Sequence, residues 1–230
     1  DFILRNLAEL KQQLATLNVP LLIRSCDYWH DAQHVISELC QQLSISAVHV
    51  NTEYGIHESQ RDAATGVELV DQGILFHSHH DQLLFKPGSI LTQSSTYFKV
   101  FSQFRKVCYQ QLHSAIPASV ATPSAQAALN ISSDDVPSHL TAFTPIAAKQ
   151  QALWPAGEQA AQQRLKRFAA GAIDGYLEQR DLPAQPGTSQ LSPYLVAGVV
   201  SIRQCLHAAL AANQGEFSSG KQGVITWVNE

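Results

Sequence analysis

An α/β fold is predicted for the first eighty residues, and three observations predict it. Leucines recur at helical spacing, short apolar runs separate them, and the alternation stops beyond residue 81. Leu4, Leu7, Leu10, Leu14 and Leu17 mark a first helix that ends at Asn18. The run Pro20-Leu21-Leu22-Ile23 has the length of a buried strand. Val35, Ile36, Leu39, Cys40 and Leu43 make a second helical stripe, followed by the strand-like Ala47-Val48-His49-Val50. A third helix is predicted over Glu58 to Val70, and a third strand at Gly73-Ile74-Leu75-Phe76. Strands separated by single helices need crossover connections, which implies a parallel sheet with helices on its faces.

From residue 81 the character changes. Between Ser114 and Pro155 lie Pro117, Pro123, Pro137 and Pro145 among many Ala, Ser and Thr residues, the composition of a long connector. Helical signal resumes near Glu158, with Leu165, Phe168 and Ala169 on one apolar face. Another helix is predicted from Ile202 to Ala212, with Ser201 as its N-cap. The expected organisation is a partial α/β domain over 1–80, a linker over 81–157, and the beginning of an all-helical domain over 158–230.

The chain is 45% hydrophobic and 15% charged over 230 residues, enough to bury a sizeable core. No apolar run reaches the roughly 18 residues of a membrane span, and no signal-peptide pattern opens the chain, so it reads as soluble and cytoplasmic. The absence of Met suggests that Asp1 is not the natural start. Cys26, Cys40, Cys108 and Cys205 show no CxxC spacing and read as reduced thiols. The net charge of −4 argues against gripping nucleic acid by charge alone. From Glu158 onward, however, six basic residues balance six acidic ones, so the acidic excess lies earlier. The His77-Ser78-His79-His80 cluster has no Cys or carboxylate at ligand spacing, and no metal site is expected.

The segment Gly187-Thr188-Ser189-Gln190-Leu191-Ser192 carries the most chemical information. Glycine frees the backbone, and three hydroxyls within five residues supply donors to an anion. A following helix would add unpaired N–H groups. The segment is neither a P-loop nor a GxGxxG fingerprint, and a hydroxyl-rich loop read alone is more often a helix cap.

Its neighbourhood reads Y-x-x-x-R-D-x-P-x-x-x-G-T-S-x-L-S-x-x-L-x-x-G-x-x-S-x-R-Q from Tyr176 to Gln204, and the chain ends on Trp227-Val228-Asn229-Glu230. This resembles the start of the flavin-binding domain of class I DNA photolyases and cryptochromes, whose W-x-N-E-L-x-W-R-E-F stretch begins like residues 227–230. Asn51-Thr52-Glu53-Tyr54, Glu58, Arg61-Asp62, Pro87-Gly88 and the stretch from Tyr97 to Phe101 resemble the same family's Rossmann-like antenna domain. The family's first strand, with its W-F-R-x-D-L-R motif, and most of the C-terminal flavin domain have no counterpart here.

The resemblance implies roles by position. Tyr176 would contact FAD; Thr188, Ser189, Gln190, Leu191 and Ser192 would hold its phosphates; Trp227 would lie along the flavin pocket. Relatives often carry Arg where this chain has Gln190. Arg180 would face DNA, or alternatively pair with Glu178 or Asp181. Glu230 would sit buried between flavin and lesion, bonding a thymine carbonyl or imide. His57 and Glu58 fall where relatives that use 5,10-methenyltetrahydrofolate as antenna carry Asn-Glu. The implied activity is light-driven repair of cyclobutane pyrimidine dimers in damaged DNA by a protein that is monomeric at full length. Glu230, where Gln would be the alternative, favours repair over a cryptochrome-type light receptor. A non-enzymatic nucleotide-binding α/β module is the alternative from another class.

Overall fold

A computed structural model describes all 230 residues, and two compact units emerge: Leu22–Leu83, and Asp1–Leu21 together with Leu84–Glu230. The first is the α/β part. Two parallel strands, β1 (Ala47–Asn51) and β2 (Leu75–His79), pair with Ala47 opposite Leu75 and Asn51 opposite His79. Helices α2 (Ala32–Gln42) and α3 (Ile56–Asp71) pack on each other, and α3 on β2. The core joins Cys40, Leu69 and Ile74 with Val48 and Phe76. Gly66 faces the Phe76 ring, where a Cβ would stand 3.1 Å from it. The alternate residues point the other way: His49 stacks on His77 and His79, and Leu75 is 59% exposed. Helices therefore cover one face of this strand pair rather than both.

Three predicted elements differ. Residues 20–23 are extended but form no strand, because the Leu21 backbone bonds elsewhere: its N–H donates to Ser133 Oγ at 3.0 Å, and its carbonyl accepts from Asp134 N at 2.9 Å. The second strand starts two residues later than predicted, since Gly73 adopts φ +76 and ends α3 by donating to the Val70 carbonyl. The 81–157 stretch, expected to be irregular, contains the 14-residue helix α4 (Phe101–Ser114) and the single turn α5 (Ala148–Gln151).

The regular elements of the second unit are all helices, joined by irregular stretches of which the longest spans 115–147. Helix α1 (Phe2–Thr16), which the sequence groups with the α/β part, belongs here. The Phe2 ring meets Tyr194 edge-on at 5.4 Å, and the buried Asn6 accepts from Gly157 N at 2.8 Å. After α6 (Glu158–Ala169) come α7 (Tyr176–Gln179), α8 (Ser192–Val196), α9 (Ile202–Ala212) and α10 (Gln222–Asn229). Ser201 caps α9 as predicted: its Oγ accepts from Gln204 N at 3.2 Å, and Gln204 Oε1 accepts from Ser201 N at 2.8 Å. Ala161, Leu165, Leu191, Tyr194, Val200 and Cys205 form the main core, with a second cluster at Phe168, Ile173, Ala209 and Val224. No helix is long and apolar enough to cross a membrane.

Candidate functional site

Two glycines let the site's backbones meet. A Cβ on Gly187 would stand 2.3 Å from Gln179 Cβ and 3.1 Å from its carbonyl oxygen, so the hydroxyl loop lies directly on the end of α7. A Cβ on Gly223 would stand 2.2 Å from the Ile173 carbonyl oxygen and 2.4 Å from that of Asp174. Helix α10 is thereby laid onto the 3-10 turn Ala172–Gly175. Lys221 Nζ adds an ion pair to Asp174 at 2.9 Å.

Within the loop, Thr188 and Ser192 are exposed and Ser189 is half-buried, while Leu191 is 1% exposed and anchors the turn in the core. Gln190 is left-handed, φ +52, and its Oε1 accepts from Arg164 Nη1 at 2.7 Å. The following helix adds few donors. It has five residues, Pro193 has no N–H, and the N–H groups of Tyr194 and Leu195 already donate to the Leu191 carbonyl at 2.9 and 3.0 Å. The donors this loop offers are therefore its hydroxyls and the backbone N–H groups of residues 188–192 rather than the N-terminus of α8.

Ser189, Trp227 and Glu230 line one cavity of about 200 Å³, whose apolar wall includes Leu195, Ile202 and Cys205. This brings together residues from both sequence motifs, nearly forty positions apart. Trp227 also packs on Phe168 at 5.1 Å, so the indole serves core and cavity together. Tyr176 packs edge-on against Phe168 at 5.9 Å and lies outside this cavity. Arg180 forms an ion pair with Glu230 and stands 3.7 Å from Asp181. The burial that the resemblance implies for Glu230 is not found, as its side chain is 52% exposed.

Sequence reasoning missed Arg164, Gly223 and Cys205. Burial pushes the Cys205 thiol up to about 11, so this wall of the cavity is neutral and unreactive at physiological pH. Nothing in the periodicity of α6 or α10 distinguishes Arg164 or Gly223 from their neighbours; their partners lie in other segments.

In the α/β unit, His57 is exposed at the start of α3, and the Glu58 carboxylate folds back over Gly55, where Oε2 would stand 2.1 Å from a Cβ. A groove of about 620 Å³ on this unit is lined by Glu53, Asp62, Gly66, Val67 and Phe76, and includes neither His57 nor Glu58. His49 Nδ1 and His79 Nε2 approach to 2.9 Å, and Tyr54 Oη lies 2.7 Å from His80 Nδ1. No group of three or more His, Cys, Asp or Glu is arranged to hold a metal ion.

The family model for DNA photolyase matches residues 1–124. A deoxyribodipyrimidine photo-lyase of Vibrio cholerae is 32% identical over the whole of this chain and 48% of its own length. That of Escherichia coli is 31% identical over 94% of this chain and 44% of its own length. The chain thus spans about half the length of the curated relatives it matches. The crystal structure of a class III photolyase from Agrobacterium tumefaciens superposes over 99% of this chain and 46% of that one, with a TM-score of 0.81 and 27% identity. A Synechocystis cryptochrome shares the fold, with a TM-score of 0.75 over 99% of this chain and 47% of its own, at 19% identity.

Proposed function

We propose, from the premise that this chain belongs to the DNA photolyase family, that it is part of a light-driven enzyme repairing cyclobutane pyrimidine dimers in DNA. One observation carries the reading: Ser189, Trp227 and Glu230, drawn from both motifs of the resemblance, line the same cavity. That cavity is smaller than the roughly 300–1,000 Å³ of a complete ligand site, and it fits one portion of a dinucleotide. Held by these residues, reduced FAD would supply on excitation by light an electron that splits the dimer and is then returned to the flavin.

The protein's own residues then bind and orient. Thr188, Ser189 and Ser192 donate hydroxyl protons to the diphosphate, supported by the N–H groups of Gln190 and Leu191. Trp227 presents an indole to the flavin, and Tyr176 closes the α7 side. Glu230 meets a lesion turned out of the duplex, where its carboxylate accepts from the thymine imide N–H or its protonated acid donates to the thymine carbonyl. A half-exposed carboxylate beside Arg180 does this only as its guanidinium partner shifts, and the phosphates of DNA are the natural competitor for that guanidinium. The balanced charge beyond Glu158 supports positioning by individual contacts rather than a strong general attraction to DNA.

The α/β unit is the antenna domain in this reading. Glu58 accepts from the N–H donors of a methenyltetrahydrofolate, with His57 beside it. The working protein is cytoplasmic and monomeric at full length. The test is light-dependent loss of thymine dimers from an irradiated oligonucleotide by the full-length protein, with flavin absorbance measured alongside. Flavin-replete protein that removes no dimers in the light would move the assignment to a cryptochrome-type receptor.

A further inference from the structure

Gln190 is one of five residues other than glycine that sit at positive φ in this chain, and it is the one inside the hydroxyl loop. A side chain in the left-handed region is disfavoured, so surrounding contacts must hold it there. Gln190 has such a contact. Arg164 Nη1 donates to Gln190 Oε1 at 2.7 Å, and Arg164 Nη2 donates to the Leu153 carbonyl at 2.7 Å. The guanidinium also lies over the Tyr194 ring at 5.7 Å, and Tyr194, fully buried, donates through its hydroxyl to the Pro155 carbonyl at 2.8 Å. One planar cation on α6 thus ties together residues 153–155, the loop and the start of α8.

The position of Gln190 gives this tie its consequence. Ser189 on one side lines the cavity with Trp227 and Glu230, while Leu191 on the other is buried in the core. The left-handed residue between them sets the turn that separates the two directions. We propose that Arg164 is the positioning residue of the loop, holding Gln190 so that residues 188–192 keep the backbone path that binds the flavin diphosphate. This rests on the flavin reading above. The two short bonds need the fork of a guanidinium, because an ammonium is a single point of charge. The carboxamide of Gln190 is consumed by the clamp and does not face the phosphates.

The test uses full-length protein stripped of flavin and titrated with FAD. Arg164→Gln and Arg164→Lys each weaken FAD binding by about tenfold, the factor expected of one charge-assisted hydrogen bond. Gln190→Gly relieves the strain of φ +52 but frees the loop backbone, effects of opposite sign on stability, so the melting temperature of the flavin-free protein changes little while the unheld loop weakens FAD to a similar extent. That divergence separates positioning from general loss of stability. Wild-type affinity in Arg164→Lys would mean that charge alone matters, and wild-type affinity in Gln190→Gly would mean that the clamp is idle; either overturns the proposal. Wild-type protein that takes up no FAD would sink the flavin reading instead. Hydrogen exchange across residues 187–192 then decides the clamp, and unchanged exchange in Arg164→Gln overturns it.

Discussion

Replacing Gly223 by alanine sets two effects of opposite sign against each other. Alanine is the better helix former by at most about 1 kcal/mol, and less in the first turn of a helix, where Gly223 lies. Against this, the new methyl would stand 2.2 Å from the Ile173 carbonyl oxygen and 2.4 Å from that of Asp174. A carbon needs about 3.3 Å from a carbonyl oxygen, so α10 must retreat by about 1 Å. Both obstacles are backbone and cannot rotate away, which places the cost near the upper end of the roughly 1–3 kcal/mol of overpacking. The net expectation is a loss of about 2 kcal/mol. Function should fall further, because α10 carries Trp227 and leads into Glu230, and a shift of about 1 Å at a reacting site can cost about a hundredfold in rate. The assay compares urea midpoints and light-driven dimer repair for full-length wild type and Gly223→Ala. A variant as stable as wild type and equally active would refute the close approach of α10 to residues 173–174.

Three further outcomes are expected. Ser189→Ala together with Ser192→Ala lowers flavin occupancy and repair in parallel in the full-length protein, read by flavin absorbance; unchanged occupancy would remove the loop from the flavin site. Glu58→Ala removes the near-ultraviolet absorbance of bound folate while flavin stays in place, and it costs α3 about 0.3–1 kcal/mol because a carboxylate leaves the first turn. Burial raises Cys205 from the ordinary thiol value of 9.0 to about 11, so above pH 9 the unfolded chain loses a proton that the native state keeps. The Cys205 contribution to stability therefore falls as pH rises from 9 to 11, by at most about 3 kcal/mol at 1.36 kcal/mol per unit, and Cys205→Ala, compared by urea midpoint, makes the fall shallower, with buried Cys40, Cys108 and Tyr109 supplying the remainder.

Much of the fold was legible where the signal is local. Ser201 and Gln204 sit three residues apart and cap each other, so the start of α9 was readable from sequence alone. The helices at Ala32–Gln42 and Glu158–Ala169 follow from apolar periodicity that one buried face enforces. The failures share a cause. Whether Leu21 belongs to a strand depends on Ser133 and Asp134, more than a hundred residues away. Helix α4 was hidden because Phe101, Phe104, Cys108 and Leu112 fall in a stretch whose proline-rich sequel dominates its composition, and its core partner Phe217 lies a hundred positions on. Helix α1 carries a leucine stripe that fits either unit, and contacts remote in sequence assign it, among them Phe2 against Tyr194, Asn6 against Gly157 and Arg5 against Trp154.

The proposed site divides along the same line, between residues assigned to the ligand and residues that place them. The hydroxyl loop and the closing Trp-x-Asn-Glu segment were readable through their resemblance to the family's motifs, since a hydroxyl-rich loop read alone is more often a helix cap. Arg164 and Gly223 were not, and Gly187 was read only for its backbone freedom, because each acts on a segment outside its own: Arg164 on residue 190, Gly187 on residue 179, Gly223 on residues 173–174. These three contacts share a geometric effect, since each fixes one wall of the cavity that Ser189, Trp227 and Glu230 line. Arg164 and Gly187 fix the loop from its two ends, and Gly223 fixes the helix opposite. A cavity wall that shifts by about 1 Å loses the match between donors and ligand even when every donor is retained. In the proposed flavin site the motif residues supply the donors, and the three placing residues determine whether those donors face one ligand together or remain separate surface groups.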